Sequence, residues 1–437
     1  MTHPNPYCNY SSLGVGSKSS CALPRLDRWE NARHSFHNDP HHETASRGEV
    51  SATKHKKLRL FFISSYPPNR ARLSEYAEAL LTELSAKSSI AEIRVLADRV
   101  DENSPENCQQ KIKIERIWSP DNVPSLVALL VRLWKLKPDV VHVNAHFQSF
   151  GRSRFANFLG LTIAAFARFT GIKTVLTIHN LGDKVDLEKC SVNPNIITRM
   201  GIALAMKLIC LSSATTVTVP SYVRFLQERY RARNVRYIPH GAWQLPKNNS
   251  HGRAIGDDPS LLMFGHMGPY KGLPILLQAF LRVSEERPDL RLVVAGASHP
   301  NFPGYLERFM KQMDPRISYI GYVPSEKLAS TFEESDLVVL PYLTATGTSG
   351  VFHLACGFGR PIIASDLPEI REALEEGARA LLFRPGDSKD LERTIMYALE
   401  HPEILEEMTK RNLAFAQERT WNHVASAFEK LYLEILK

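Results

Sequence analysis

Residues 336–370 contain a complete strand–loop–helix–strand unit. Two short apolar segments, 337–340 and 362–364, have the length and composition of strands buried on both faces, and an apolar segment of helical length, 351–358, lies between them. A crossover of this kind joins parallel strands and is right-handed. The loop 344–350, rich in Gly, Thr and Ser, therefore lies at the carboxyl edge of a sheet, where open α/β sheets bind ligands.

This loop has two interpretations. The backbone N–H groups of Gly347, Thr348, Ser349 and Gly350 precede a helix, and N–H groups at a helix N-terminus form a ready binding site for an anion. An ordinary strand-to-helix turn has the same composition, so the segment alone leaves both interpretations open.

Strands and helices alternate from residue 58 onwards, which is typical of doubly wound parallel sheets. The other predicted strands are 58–64, 93–96, 138–143, 174–178, 215–219, 261–265, 291–295 and 317–320. The other predicted helices are 73–84, 125–136, 155–169, 196–211, 392–399 and 424–436. This pattern predicts an α/β protein with parallel sheets.

The chain has 437 residues, which is too long for one ordinary core, so two domains are expected. A polar, turn-prone segment, 245–258, separates two strand–helix series of similar size. We therefore predict two Rossmann-like domains facing across a cleft, a favoured place for ligands. The predicted boundaries are a tail 1–56, a first domain 57–245, a second domain 246–415, and a C-terminal helix 416–437 that packs back on the first domain.

The tail 1–56 is poor in aliphatic residues and rich in Ser, His, Asn and Pro, so we expect disorder there. Its histidines His34, His37, His41 and His42 could form a metal cluster, but a solvated His-rich tail is the preferred interpretation.

Net charge and motif content limit the classes of partner. The chain carries 54 basic and 46 acidic residues, a net charge of +8, which favours anionic partners such as nucleotides, phosphates or an acidic membrane surface. No basic stripe with interleaved aromatic residues occurs, so we expect no nucleic-acid partner. The six cysteines lack CxxC spacing, which argues against a zinc site and favours a reduced, cytoplasmic compartment.

No transmembrane helix or signal peptide is predicted. The segments 125–137 and 155–168 nevertheless combine apolar and basic residues. A peripheral contact with the inner membrane face would explain this pattern. Core helices packed on a sheet explain it more simply, and this is the interpretation we favour.

Five motifs, in this order and spacing, resemble the GT-B fold glycosyltransferases, specifically the retaining family 4 (glycosyl transferases group 1). They are Ser65-Tyr66-Pro67-Pro68, Thr177-Ile178-His179-Asn180, Ile238-Pro239-His240-Gly241, Phe264-Gly265-His266-Met267-Gly268-Pro269-Tyr270-Lys271-Gly272-Leu273 and Gly359-Arg360-Pro361-Ile362-Ile363-Ala364-Ser365. The resemblance covers residue 58 to the C-terminus.

The resemblance implies a second domain that binds a UDP- or GDP-linked sugar and a first domain that binds a hydroxyl acceptor, such as a saccharide or a lipid-linked glycan. It also implies retention of anomeric configuration by front-face attack, with no enzyme nucleophile. The nucleotide sugar is a substrate, so no metal or other cofactor is expected for catalysis.

By the same resemblance, Lys271 binds the donor diphosphate and His179 contacts the reacting sugar, and these two are the expected catalytic residues. The implied donor-binding residues are His266, Gly268, Lys271, Tyr322, Val323, Thr346, Gly347, Thr348, Ser349, Gly350 and Glu369. The candidate acceptor-binding residues are Arg70, Arg72, Glu75 and Tyr76. For Glu75 and Tyr76 a plain helix surface, and for Glu369 a first-turn helix acid, stay open as alternatives.

The chain departs from the family pattern at two places. The usual arginine after the first strand of the second domain is missing, since His266 and Gly268 stand there. The usual pair of glutamates is replaced by Thr346 and Leu354, and Leu354 cannot accept hydrogen bonds from ribose hydroxyls. A module that binds a nucleotide or saccharide without turnover is therefore the alternative function.

Overall fold

The computed structural model describes residues 57–69, 73–100, 111–188, 192–243, 258–299, 302–310, 314–344 and 347–437. Several predictions lie outside these ranges: the tail 1–56 with its histidines, nearly all of the linker 245–258, and the site residues Arg70, Arg72 and Thr346.

The first half of the described chain forms a seven-stranded parallel sheet in the order β3-β2-β1-β4-β5-β6-β7. Its strands are β1 (Leu58–Ser64), β2 (Ile90–Asp98), β3 (Ile112–Trp118), β4 (Val140–Ala145), β5 (Lys173–Ile178), β6 (Ala214–Val217) and β7 (Val235–Tyr237). Its helices are α1 (Ser74–Ser85), α2 (Val123–Leu136), α3 (Arg154–Phe169), α4 (Ile196–Ile209) and α5 (Pro220–Tyr230).

The second half forms a six-stranded parallel sheet in the order β10-β9-β8-β11-β12-β13. Its strands are β8 (Ser260–Phe264), β9 (Arg291–Ala295), β10 (Ile317–Gly321), β11 (Leu337–Leu340), β12 (Ile362–Ser365) and β13 (Leu381–Phe383). The helices are α6 (Leu273–Glu286), α7 (Glu307–Met310), α8 (Ser325–Glu333), α9 (Gly350–Gly357), α10 (Pro368–Glu375), α11 (Ser388–Glu400), α12 (Pro402–Gln417) and α13 (Trp421–Leu436). The predicted fold class, two Rossmann-like α/β domains, is confirmed.

The central strands β1, β4 and β11 are almost entirely buried because helices cover both faces of each sheet. In β1, Leu60 and Phe62 belong to a core with α1 and α13, whereas Phe61 and Ile63 belong to the opposite core with α2, α3 and α4. This alternation explains why the segment contains no polar side chain between Arg59 and Ser64.

Helix α13 leaves the second half of the chain and packs against α1 in the first. Phe428 and Tyr432 are buried there, and Tyr432 Oη lies 2.6 Å from His142 Nδ1 in β4. The last helix therefore joins the second half of the chain to the first.

Strands β3, β7 and β13 and helices α5, α7, α8 and α12 were not predicted, and no bounds were predicted for α6 and α10. Strand β3 (IKIERIW) is half exposed at the edge of the sheet, and its charged residues mask the apolar pattern. Helix α12 is largely polar, and its buried side chains include Leu405, Met408 and Phe415. Short, edge or largely polar elements of this kind carry a weak periodic signal.

The interpretation of α2 and α3 as core helices is only half correct. Their inner sides, including Leu129 and Ile163, lie in the core. Their outer sides also carry apolar residues, and Trp134 and Phe169 are among the exposed ones. Among the described residues, no helix is both long and apolar enough to cross a membrane.

Candidate active site

The carboxyl ends of both sheets border one cleft, and residues from both halves of the chain line it. Twelve of the predicted site residues lie on its wall: Glu75, Tyr76, His179, His266, Lys271, Tyr322, Val323, Gly347, Thr348, Ser349, Gly350 and Glu369. The two candidate catalytic residues, one from each half, are therefore brought to the same cavity.

Lys271 ends a short 3-10 turn, Pro269–Lys271, that follows β8. The next residue, Gly272, has φ +70°, and a Cβ there would lie 1.8 Å from the Pro341 carbonyl oxygen, so only glycine fits. This contact holds the turn against the end of β11. Lys271 Nζ lies 3.7 Å from the centroid of the Tyr342 ring, and Tyr342 Oη lies 3.3 Å from Ser349 Oγ. The lysine and the loop before α9 are thus close neighbours.

The four backbone N–H groups of residues 347–350 donate to no atom within the described part of the chain. Ser349 caps α9, because its hydroxyl accepts a hydrogen bond from the Phe352 N–H at 3.2 Å. The helix dipole and these amides make the local potential positive. An anion in the cleft would meet both Lys271 and these donors.

Gly347 brings this loop against the first domain. Its φ is +94°, and a Cβ would lie 1.9 Å from the carbonyl oxygen of His179. Thr348 Oγ1 donates to the Thr218 carbonyl oxygen at 2.9 Å. The loop is therefore positioned by both domains.

His179 follows β5 and is held by a short polar chain. Asn144 Nδ2 donates to Ser64 Oγ at 3.1 Å, which turns Asn144 Oδ1 toward His179 Nε2 at 2.7 Å. His179 Nε2 therefore carries the proton, and Nδ1 is left as an acceptor. Burial, with smaller effects from nearby histidines, holds the pKa of His179 well below its ordinary value. The imidazole is neutral at pH 7 and acts as a hydrogen-bonding group rather than a cation.

A second buried histidine, His240, lies on the same wall and was not predicted as a site residue. Its Nδ1 donates to the Gly241 carbonyl oxygen at 2.7 Å, and its ring stacks on His353 of α9 with centroids 5.0 Å apart. Burial lowers the pKa of His240 to about 4. The Ile238-Pro239-His240-Gly241 motif was the signal that could have identified it.

Tyr76 is not on a plain helix surface, since it is buried edge-on against His179 and His240. Glu75 remains accessible to solvent at the cleft wall, but surrounding protein raises the pKa of its carboxyl, and the charge of Glu78 raises it further. Both residues line the cleft on the side of the first domain.

Three glutamates of the α10 region accept hydrogen bonds from the first domain. Glu369 accepts from Tyr222 Oη at 2.9 Å, and Glu372 accepts from the Ser221 N–H at 2.8 Å, at the start of α5. Glu376 accepts from the hydroxyl of Tyr237 at 2.7 Å. Glu369 therefore joins the cleft wall to the opposite domain, which a plain first-turn acid would not do.

Two features of the site differ from the family pattern. The predicted donor-binding residue Gly268 does not line the cleft; it directly precedes the 3-10 turn, and its carbonyl oxygen accepts from the Lys271 N–H at 2.9 Å. Leu354 lines the cleft together with Val351, Leu367 and Ile370. This part of the wall is apolar where the family carries a carboxylate.

Two family models match the chain. Residues 258–401 match the model described as glycosyl transferases group 1, and residues 73–242 match the model described as Glycosyltransferase Family 4. The resemblance inferred from the five motifs is confirmed by these two matches.

Two named relatives illustrate the similarity. The lipopolysaccharide 1,2-N-acetylglucosaminetransferase of Salmonella typhimurium is 25% identical over 274 residues, which cover 59% of this chain and 72% of that protein. The GDP-mannose:glycolipid 4-beta-D-mannosyltransferase of Xanthomonas campestris pv. campestris is 30% identical over 201 residues, which cover 45% of this chain and 51% of that protein. The chain thus spans about half the length of the second relative.

Solved structures share the fold at low identity. Sucrose-phosphate synthase from Thermosynechococcus elongatus superimposes with a TM-score of 0.69 at 18% identity, over 87% of this chain and 99% of that one. Anabaena HepE in complex with UDP-glucose gives a TM-score of 0.64 at 16% identity, over 86% of this chain and 100% of that one. Both halves of the sequence and the shared architecture lead to one assignment: the chain belongs to the group 1 glycosyltransferases of the GT-B fold.

Proposed function

We propose that the protein is a retaining glycosyltransferase that moves a sugar from a UDP- or GDP-linked donor to a hydroxyl acceptor, such as a saccharide or a lipid-linked glycan. The observation that carries this proposal is the grouping, on one wall of the cleft, of Lys271 with the four N–H groups of residues 347–350, which find no acceptor among the described residues. The names of the relatives support the substrate class, since one uses GDP-mannose and a glycolipid and another binds UDP-glucose.

The donor diphosphate gains negative charge as the sugar departs. Lys271 and the amides of residues 347–350 supply fixed positive charge and donors for that charge, and such preorganised groups lower the barrier more than flexible ones in water. These amides also take over the phosphate-binding role of the arginine that is missing near His266, because backbone N–H groups can bind phosphate oxygens without a second cationic side chain.

The anomeric configuration is retained because the acceptor hydroxyl attacks the sugar on the same face from which the diphosphate leaves. The acceptor hydroxyl forms the new bond to the anomeric carbon as the bond to the leaving oxygen breaks, and its proton passes to a donor phosphate oxygen. Neutral His179, with Nε2 fixed by Asn144, offers Nδ1 to a sugar hydroxyl and so orients the donor. No enzyme nucleophile is required in this scheme.

The apolar wall at Leu354 makes the nucleotide ribose contact different from the family's usual one. A binding module without turnover is the alternative that this replacement suggests. Lys271 and His179 both line the cleft, and this arrangement favours turnover over binding alone.

The test is the Lys271→Ala variant, compared with Lys410→Ala, which removes an exposed lysine of α12 away from the cleft. Thermal shifts with UDP-, GDP- and ADP-sugars identify the donor, and NMR of the product identifies the anomeric configuration. We expect Lys271→Ala to lower kcat/KM by roughly 100-fold or more, as loss of one charge-stabilising group does in other enzymes. Unchanged transfer in Lys271→Ala, or an inverted product, would refute the proposal.

A further inference from the structure

Helices α2, α3 and α4 form a layer over one face of the first sheet, with α3 packed between the other two. Each helix turns large apolar side chains toward solvent. Six of them are between 57% and 73% exposed: Trp134, Phe155, Phe169, Ile196, Ile197 and Met200. An exposed apolar surface of this extent on a soluble fold marks an interaction site. We call this surface the α2–α4 face.

The α2–α4 face carries only one sign of charge. The chain contains 46 acidic residues in 437, about one in ten, yet none of the three helices contains an Asp or a Glu. The same helices contain exposed cations at Lys135, Arg154, Arg168 and Lys207. Aromatic and aliphatic side chains framed by cations match the chemistry of an anionic lipid surface.

We propose that the α2–α4 face docks on an anionic lipid bilayer, with its aromatic and aliphatic side chains in the headgroup region and its cations on lipid phosphates. A second copy of the chain is a poorer occupant, because two such faces would repel each other electrostatically. None of the described helices can cross a membrane, so this contact is peripheral.

The position of the face also bears on substrate access. Helices that join parallel strands run antiparallel to them, so the first residues of α3 and α4 lie near the carboxyl edge of the sheet, which borders the cleft. Phe155, Ile196 and Ile197 are at these ends. A bilayer bound there would bring lipid headgroups to the side of the cleft. This last point rests on the proposed transfer to a lipid-linked acceptor, whereas the docking itself does not.

The first test is co-sedimentation with vesicles of phosphatidylcholine, with and without phosphatidylglycerol, at low ionic strength. We expect binding to the anionic vesicles and weakening of this binding as salt is added. Trp134 is exposed, so its fluorescence should be quenched by lipids labelled in the headgroup region, and Trp134→Phe should remove that signal.

Variants identify the surface responsible. Combined Phe155→Ser, Phe169→Ser and Ile197→Ser should lower the vesicle partition coefficient at least about 30-fold. The matched control carries Leu281→Ser, Ile320→Ser and Leu433→Ser, which remove exposed apolar residues elsewhere and should have little effect.

A second set reverses charge: Arg154→Glu and Lys207→Glu should each lower anionic-vesicle binding at least roughly fivefold, since each cation near such a surface contributes about 1 kcal/mol. Thermal unfolding of every variant verifies that it folds.

Absence of wild-type binding to anionic vesicles would overturn the proposal. So would an equal loss in the control triple variant, or a wild-type dimer that the apolar variants dissociate. Transfer to a water-soluble acceptor should be unchanged in these variants, which separates failure of docking from failure of the proposed catalysis.

Discussion

Gly347 is the position where a one-carbon change should damage the site most directly. Its backbone has φ +94°, and an added Cβ would lie 1.9 Å from the His179 carbonyl oxygen. Since real Cβ atoms essentially never approach a heavy atom closer than 3.0 Å, the loop in Gly347→Ala must move away from His179 by about 1 Å. A displacement of this size at a catalytic loop costs roughly 100-fold in rate.

The control for this prediction is Gly171→Ala. Gly171 has φ +84°, close to that of Gly347, but nothing lies within 4 Å of its Cβ position. Both variants should lose about 1–2 kcal/mol in the free energy of unfolding from backbone strain. Only Gly347→Ala should also lose activity.

The assay is kcat/KM for transfer from the preferred nucleotide sugar, together with urea unfolding of both variants. If Gly347→Ala kept the kcat/KM of Gly171→Ala, the loop would not need its close contact with His179, and the site geometry described above would be wrong.

Two further predictions concern the cleft walls. Tyr222→Phe removes the hydroxyl that binds Glu369 across the domains, so it should lower the free energy of unfolding by about 1 kcal/mol and raise KM for the donor. The control, Tyr230→Phe, removes a hydroxyl bonded to Asp183 within the first domain and should leave KM for the donor unchanged. Equal KM values in the two variants would contradict the bridging role of Tyr222. The pKa of His240 is about 4 in the folded protein, so below its unfolded value of 6.5 the unfolded state gains a proton that the folded state does not. Stability should therefore fall as the pH is lowered from 7 to 5, with His240 contributing about 2 kcal/mol. Urea unfolding of His240→Gln at both pH values should show a smaller fall, and an unchanged fall would refute this assignment.

Much of the fold could be predicted from the sequence because its central strands are buried on both faces. Strand β11 (LVVL) is short and continuously apolar, and β4 (VVHVNA) is short, mostly apolar and fully buried. The spacing of such segments by helices specifies a parallel sheet. Strand β3 escaped prediction because its exposed positions are charged. Helix α5 escaped because few of its residues are buried.

The site was predictable where a motif marks it. Lys271 and His179 stand within such motifs, and the loop of residues 347–350 has a composition that favours an anion site. The stacking of His240 on His353 could not be predicted, since it joins residues more than a hundred positions apart through the domain interface. The same holds for the hydrogen bond between Tyr222 and Glu369.

The mixture of apolar and basic residues in α2 and α3 was recognised from the sequence, and two explanations were weighed: core helices, which we favoured, and a peripheral membrane contact. Periodicity alone does not distinguish a helix with one apolar side from a helix with an inner core side and an outer exposed stripe when most residues are apolar. Only the exposure of side chains such as Phe169 and Ile197 separates these cases.

The central claim is that Lys271 and the amides of residues 347–350 hold the donor diphosphate. A crystal structure with bound UDP or GDP tests it most directly. We predict diphosphate oxygens within hydrogen-bonding distance of Lys271 Nζ and of at least two of these N–H groups. A diphosphate bound elsewhere in the cleft, with Lys271 in contact only with the Tyr342 ring, would contradict the account.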